Sequence, residues 1–314
     1  MNGPDIIALT RDQLFDAVAQ QDTPPIPDLL PISPWVAMSL LQKSIRRGEE
    51  HLAFQAAATL LHLDPARLWR RLGCIAFKDV GCGDFDTVFM VTAALAGKTF
   101  RGQLGGEWPV ASFIVSRMAQ APKCRAADDL LMFVEAYPSL RQARSDLAHE
   151  TTRDLLLIST GPGSLLLRAL ALWYAIGTER RPSKHLLARR GDPHTVFDQL
   201  CETGLPHTLV EIAREGFRKT GEVLCPFVTL VSPEAFKQTG TLVDDELPLE
   251  MIIRGVPGWA YDLYSREGRA ALLGSYGDPP KPPAGSGHTF HRRSGSASWE
   301  VSPSELKVDW FGRD

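Results

Sequence analysis

Ala96-Gly97-Lys98-Thr99 has the form of the end of a phosphate-binding loop, where backbone N–H groups cradle phosphates and the lysine reaches them. The full loop needs a second glycine five residues before Gly97, and Thr92 stands there. The preceding Phe89-Met90-Val91 run reads as helix, which makes Gly97 a helix C-terminus. Gly161-Pro162-Gly163-Ser164 precedes an apolar helix whose N-terminus could hold an anion, though a plain turn accounts for it. The eight histidines show no metal-ligand spacing, and His288 and His291 lack acidic or cysteine neighbours. The five cysteines, at 74, 82, 124, 201 and 225, form no Cys-x-x-Cys pair and read as reduced cytosolic thiols, most of them buried. No nucleophile–base pair is visible along the chain. The expected catalytic, cofactor and metal sets are therefore empty, and a non-enzyme is the favoured reading.

Two groups of residues suit recognition rather than reaction. Lys43, Arg46, Arg47, Arg70 and Arg71 lie near predicted helix ends, where cations reach phosphates without burying charge. They are candidate nucleic-acid contacts for weak DNA binding; cations that offset the helix dipole are the plainer alternative. Trp259, Tyr264 and Arg266 interleave aromatics with arginine on a predicted helix from Trp259 to Tyr276 with Gly268 inside it, a pattern that suits a partner-binding surface. In the same stretch Asp262 and Arg266 have the i,i+4 spacing of a helix-supporting ion pair.

Local signals set the elements that carry these residues. Ser33-Pro34 caps and opens a helix whose stripe is Val36, Leu40, Leu41 and Ile45, and Gly48 stops it. Asp64-Pro65 repeats the start signal ahead of Leu68, Leu72 and Ile75. Asp79-Val80-Gly81 ends that helix, and Asp84 caps another running to Leu95. Leu155–Ile158 and Leu165–Ile176 are too apolar for surface helices and read as core. Pro193 and Pro206 open two further helices. Val223 to Val231 is β-branched and aromatic and reads as a short strand broken or set at an edge by Pro226, with Leu242-Val243 and Met251-Ile252-Ile253 as candidate partners.

Composition bounds the classes. At 314 residues with 44% hydrophobic and 23% charged content, the chain suits one large or two small globular domains. A net charge of −3 gives no strong overall field for nucleic acid or membrane. Residues 151–220 do carry ten bases to seven acids, which suits either a phosphate-facing surface or a solvated helix face. The start lacks a basic region and a long apolar core, and no apolar run reaches the roughly 18 residues of a span. A cytoplasmic protein with no membrane partner is expected.

Several segments resemble one family. Leu41-Gln42-Lys43-Ser44-Ile45-Arg46 looks like its first-helix signature, and Asp64-Pro65 with Arg70-Arg71-Leu72 fits its third helix. Ile75 to Gly81 looks like its Glu-Asp-Ile-Gly turn, and Met118-Ala119-Gln120-Ala121-Pro122-Lys123-Cys124 is similar to its Ala-Pro-Lys-Ser corner. The family is the replication-associated recombination protein A group of clamp-loader-like AAA+ ATPases, related to the Werner-helicase-interacting protein. The part resembled is its C-terminal helical oligomerisation domain. Order and spacing agree from about Pro34 to Tyr137. Lys78 replaces the family's acidic residue before Asp79, Gly83-Asp84-Phe85 replaces an Ala-Asp-Pro, and Phe100 to Pro109 has no counterpart. In the family an ATPase domain normally precedes this module, whereas here only about thirty-eight residues do. The resemblance implies an assembling scaffold rather than a motor.

The expected fold is mainly α, a multi-helix array of antiparallel helices like a clamp-loader collar, with a small mixed or irregular C-terminal part and a flexible tail. The expected divisions are 1–33, an extension; 34–150, the family-like module; 151–276, a second helical region with a short strand; and 277–314, the tail. The expected function is a non-enzymatic accessory or scaffold in DNA replication, recombination or repair, acting as a homo-oligomer with protein partners. An enzyme of unrecognised type sited in 151–276 is the alternative. Lys307-Val308-Asp309-Trp310-Phe311 resembles the pentapeptide by which many bacterial replication proteins bind the sliding clamp, with Lys307 where a glutamine is expected. Val308, Asp309, Trp310 and Phe311 are therefore candidate partner contacts; docking on the chain's own body is the plainer alternative.

Overall fold

The computed structural model describes residues 5–179, 183–231, 251–253, 255–262 and 264–275. Two compact units divide the chain, Met1–Leu272 and Leu273–Asp314. The chain is mainly α: the described residues are 70% helical, and among them no strand falls within 34–220.

The helix starts follow local chemistry. Helix α1 (Ile6–Ala19) begins at Asp5, whose carboxylate accepts the N–H groups of Ile7 and Ala8. Ser33 caps α2 (Pro34–Arg47), with Pro34 at the first position and Gly48 at φ 74° closing it. Glu49 links α2 to α3 (Glu50–Leu63), and so short a connection folds the two helices against each other. Asp64 caps α4 (Pro65–Ile75). That helix widens into a π-turn at Ala76–Val80, then a 3₁₀ turn at Gly81–Gly83, before Asp84 caps α5 (Phe85–Ala94). Gly97, at φ 145°, follows α5 after a short turn and precedes α6 (Lys98–Gln103). Lys98 and Thr99 thus open a six-residue helix.

The segment around Arg101 docks on α4. Arg101 pairs with Glu107 at 2.9 Å, donates to the Ala94 carbonyl, and lies 4.0 Å over the Trp69 ring. Glu107 also accepts the Trp69 indole N–H and opens α7 (Glu107–Gln120). Helix α7 packs on α3, α2 and α5. The chain then turns at Ala121–Cys124 into α8 (Ala126–Ala136) and α9 (Arg141–Leu147).

Helices α10 (Thr152–Thr160) and α11 (Leu165–Ile176) pack together, and every residue from Ala169 to Ile176 is buried. Tyr174 donates its hydroxyl to the Arg144 carbonyl, and Trp173 meets Phe227 edge-on at 6.1 Å. Asp192 and Pro206 introduce α12 (Pro193–Glu202) and α13 (His207–Thr220). Helix α13 lies close against the π-turn because Gly216 offers no side chain. A Cβ there would lie 2.4 Å from the Phe77 ring.

Two expectations fail beyond α13. Val223 to Val231 is not a strand: α14 (Leu224–Phe227) and turns occupy it. All nine of these residues are buried, so no alternation of faces separates strand from helix in the pattern. Pro226 falls within the first turn of that helix, where a missing N–H is tolerated. The strand pairing instead joins β1 (Ile252–Ile253) to β2 (Val256–Pro257), antiparallel, with Ile253 opposite Val256. Leu242-Val243 lies outside the described residues.

The stretch from Trp259 is not one helix either. A 3₁₀ turn covers Gly258–Ala260, Tyr261 is extended, and α15 (Arg266–Ser275) starts later. Asp262 is therefore not on a helix with Arg266. Its carboxylate accepts the N–H groups of Tyr264 and Ser265, the turn-forming use of this residue type. Tyr276 and the tail lie outside the described residues.

Candidate functional site

Asp79 sits in the π-turn, fully buried, and side chains from two other segments converge on its carboxylate. From α2, Gln42 donates to Oδ2 at 2.8 Å and Arg46 donates from Nε to Oδ1 at 2.8 Å. From the corner before α8, Arg125 Nε lies 3.6 Å from Oδ1. The turn's backbone is tied to the same corner, because Cys124 N–H donates to the carbonyls of Asp79 and Val80 at 3.0 and 3.1 Å. A buried carboxylate needs such partners, since an isolated charge there would cost several kcal/mol.

A second buried acid extends the network. Asp128 accepts from Arg125 and pairs with Lys78 at 3.1 Å. Lys78 thus has its counter-charge on α8. Burial pushes the neighbouring Asp129 carboxyl above its usual range, against the pull of Arg125. Burial also holds the Lys123 ammonium below its usual range, with its Nζ donating to the carbonyls of Ala119 and Ala121.

The predicted basic contacts are distributed around this cluster. Arg46 binds Asp79, and Arg71 donates to the Gln42 side chain at 3.2 Å. Lys43 donates to the Trp259 carbonyl, and burial lowers its pKa. Arg47 stacks over the Trp259 ring at 4.6 Å. Arg70 is exposed on α4. The structure thereby joins two groups that the sequence kept apart, since Lys43 and Arg47 hold Trp259 from 216 and 212 residues away. Trp259 is half-buried in that contact. Tyr264 is 86% exposed and Arg266 is exposed. Val308, Asp309, Trp310 and Phe311 lie outside the described residues.

The sequence reading missed two clusters. Cys82 and Cys124 bring their sulfurs to 3.0 Å. Cys201, His207 and Glu211 place one ligand atom each within 4.8 Å of one another. The i,i+4 spacing of His207 and Glu211, just after Cys201, was the available signal for the second. Arg214 already occupies its surroundings: its guanidinium lies 2.8 Å from Asp198, 3.7 Å from Glu211 and 3.8 Å from Cys201, where its charge opposes a cation. A dent between α1 and α7, lined by Val18, Asp22, Pro109 and Phe113, has no room for a water.

Among the described residues no helix is long and apolar enough to cross a membrane. Comparison with family models, curated proteins and solved structures returns no match for this chain.

Proposed function

We propose that the chain is a non-enzymatic accessory or scaffold protein of DNA replication, recombination or repair, built on a module like the C-terminal helical domain of the recombination ATPases and acting in the cytoplasm. One observation carries this reading. Segments selected only for their resemblance to that domain meet at one buried residue, Asp79 of the turn: Gln42 and Arg46 from the first-helix signature donate to its carboxylate, and Cys124 from the corner donates its N–H to its backbone carbonyl. Arg71, from the third helix, joins through Gln42. Motifs that support one another in space are better warrant than motifs that agree only in order.

The module's role here is to display cations. Arg46 engages Asp79 through Nε, and a guanidinium has five N–H donors, so its fork retains capacity for a phosphate oxygen. Arg47 and Arg70 are exposed on the same two helices. Two to four phosphate contacts give a log–log salt slope of roughly −2 to −4 on duplex DNA. Fluorescence anisotropy with labelled DNA across a salt series tests this. Paired Arg47→Glu and Arg70→Glu changes, which leave Asp79 untouched, weaken binding about tenfold or more and flatten the slope. Unchanged affinity overturns the DNA reading.

Self-association is the second part of the proposal. The residues of α11 from Ala169 to Ile176 are buried within the chain, so they do not supply an assembling surface. Exposed Trp35 and Leu63 are apolar side chains available for it. Light scattering that gives a strict monomer at high micromolar concentration counts against assembly. Titration of a sliding clamp with residues 300–314 tests the tail, with Trp310→Ala and Phe311→Ala as controls.

A further inference from the structure

The Gly81–Gly83 turn and the Ala121–Cys124 corner approach each other as bare backbone. A Cβ on Gly81, at φ 52°, would fall 2.3 Å from the Cys124 carbonyl oxygen, and one on Gly83 would fall 2.6 Å from that of Pro122. Only glycine lets the two segments close to this distance. The Cys124 N–H, shared between the carbonyls of Asp79 and Val80, pins the corner to the turn. The result is a pair of sulfurs 3.0 Å apart that are separated by 42 residues of chain.

We propose that Cys82 and Cys124 are a redox-active thiol pair that closes to an intramolecular disulfide by exchange with a small-molecule disulfide of the glutathione class. A disulfide bond is about 2.05 Å long, so closure needs only about 1 Å of sulfur movement. The two thiols have different roles. Cys124 is half-buried and Cys82 is buried, so Cys124 is the one an incoming disulfide reaches. The hydrogen bond between the two sulfurs, together with the Ala126 N–H that Cys124 accepts just ahead of α8, draws the Cys124 thiol below its usual range. The remaining cysteines lack this arrangement. Burial pushes Cys74 up to about 12, and Cys225 and Cys201 also upward.

The exchange balances in two displacements. The Cys124 thiolate attacks one sulfur of the small disulfide, its S–S bond breaks, and one small thiolate leaves and takes up a proton. Cys82 then gives its proton to water and attacks the Cys124 sulfur, and the second small thiol leaves. The protein loses two hydrogens, and the small disulfide is reduced to two thiols. Excess reduced thiol reverses both steps.

The full-length chain is equilibrated in buffers of increasing glutathione-disulfide fraction, quenched with an alkylating agent, and mapped by peptide mass spectrometry. The expected result is a Cys82–Cys124 linked peptide that becomes the majority species and disappears on return to reduced glutathione. Cys74, Cys201 and Cys225 stay alkylatable or unreacted throughout. The Cys82→Ser variant traps glutathione on Cys124, whereas Cys124→Ser gives no adduct at Cys82. Oxidation also raises the urea midpoint of the wild-type chain, because the bond closes a 42-residue loop between sulfurs that already lie 3.0 Å apart. Both thiols still alkylated at the most oxidising ratio, or a linkage to any other cysteine, overturns the pair. An adduct on Cys82 alone overturns the assignment of the attacking thiol, and a lowered midpoint overturns native-state closure.

Discussion

Removing Arg46 should harm the fold more than removing the buried acid it serves. The reason is an asymmetry of exposure: Arg46 keeps 34% of its side chain in solvent and Asp79 keeps none. In Arg46→Ala the carboxylate stays buried with Gln42 at 2.8 Å and Arg125 at 3.6 Å. Stranding one member of a buried pair costs about 3–5 kcal/mol, and partial compensation by Arg125 places this case near 3. In Asp79→Ala the two arginines turn to water instead. The loss is then about 2 kcal/mol, two charge-assisted hydrogen bonds at the low end of their range less the solvent screening of exposed groups. The double variant should also lose about 2 kcal/mol, so adding Asp79→Ala to Arg46→Ala restores stability, with a coupling of about 3 kcal/mol. Urea unfolding followed by far-UV circular dichroism measures all three. Additive single losses, or a loss below about 0.5 kcal/mol for Arg46→Ala as for an ordinary surface change, would refute the reasoning.

Other outcomes follow from single sites. Gly216→Ala drives a methyl to 2.4 Å from the Phe77 ring, and the forced shift of α13 from the π-turn lowers stability by about 1–3 kcal/mol, read as a reduced urea midpoint. Gly204→Ala, with nothing within 4 Å, meets no such clash and is affected only through its φ of 79°. Asp192 caps α12, and its bonds from the Thr195 hydroxyl and N–H hold its carboxyl below the usual range. A depressed folded pKa stabilises above the unfolded value, near 3.9, and that contribution is lost as pH falls through the folded one. Asp192→Asn should therefore remove part of the acid limb of a stability–pH profile while leaving its slope above about pH 5 unchanged; an identical acid limb in both proteins would contradict the cap.

The helix ends were legible because capping acts within a few residues. Ser33-Pro34, Asp64-Pro65, Asp84 and Asp192-Pro193 each start a helix where the sequence says so, and Gly48 and Gly221 each end one at a left-handed φ. Local signals failed where the environment, not the neighbours, sets the conformation. Burial on every side erased the pattern of Val223 to Val231, and Asp262 could not be told from a helical acid by spacing alone. The site itself was decided by the chain's path. Arg46 meets Asp79 across 33 residues and Cys82 meets Cys124 across 42, and no periodicity reaches so far. Residue types alone marked Arg46 as a cation for phosphate and Cys124 as one of five reduced thiols. Packing of α2 and the corner before α8 around one turn made the first a counter-ion and set the second against its partner, because only the folded chain brings those groups within bonding distance.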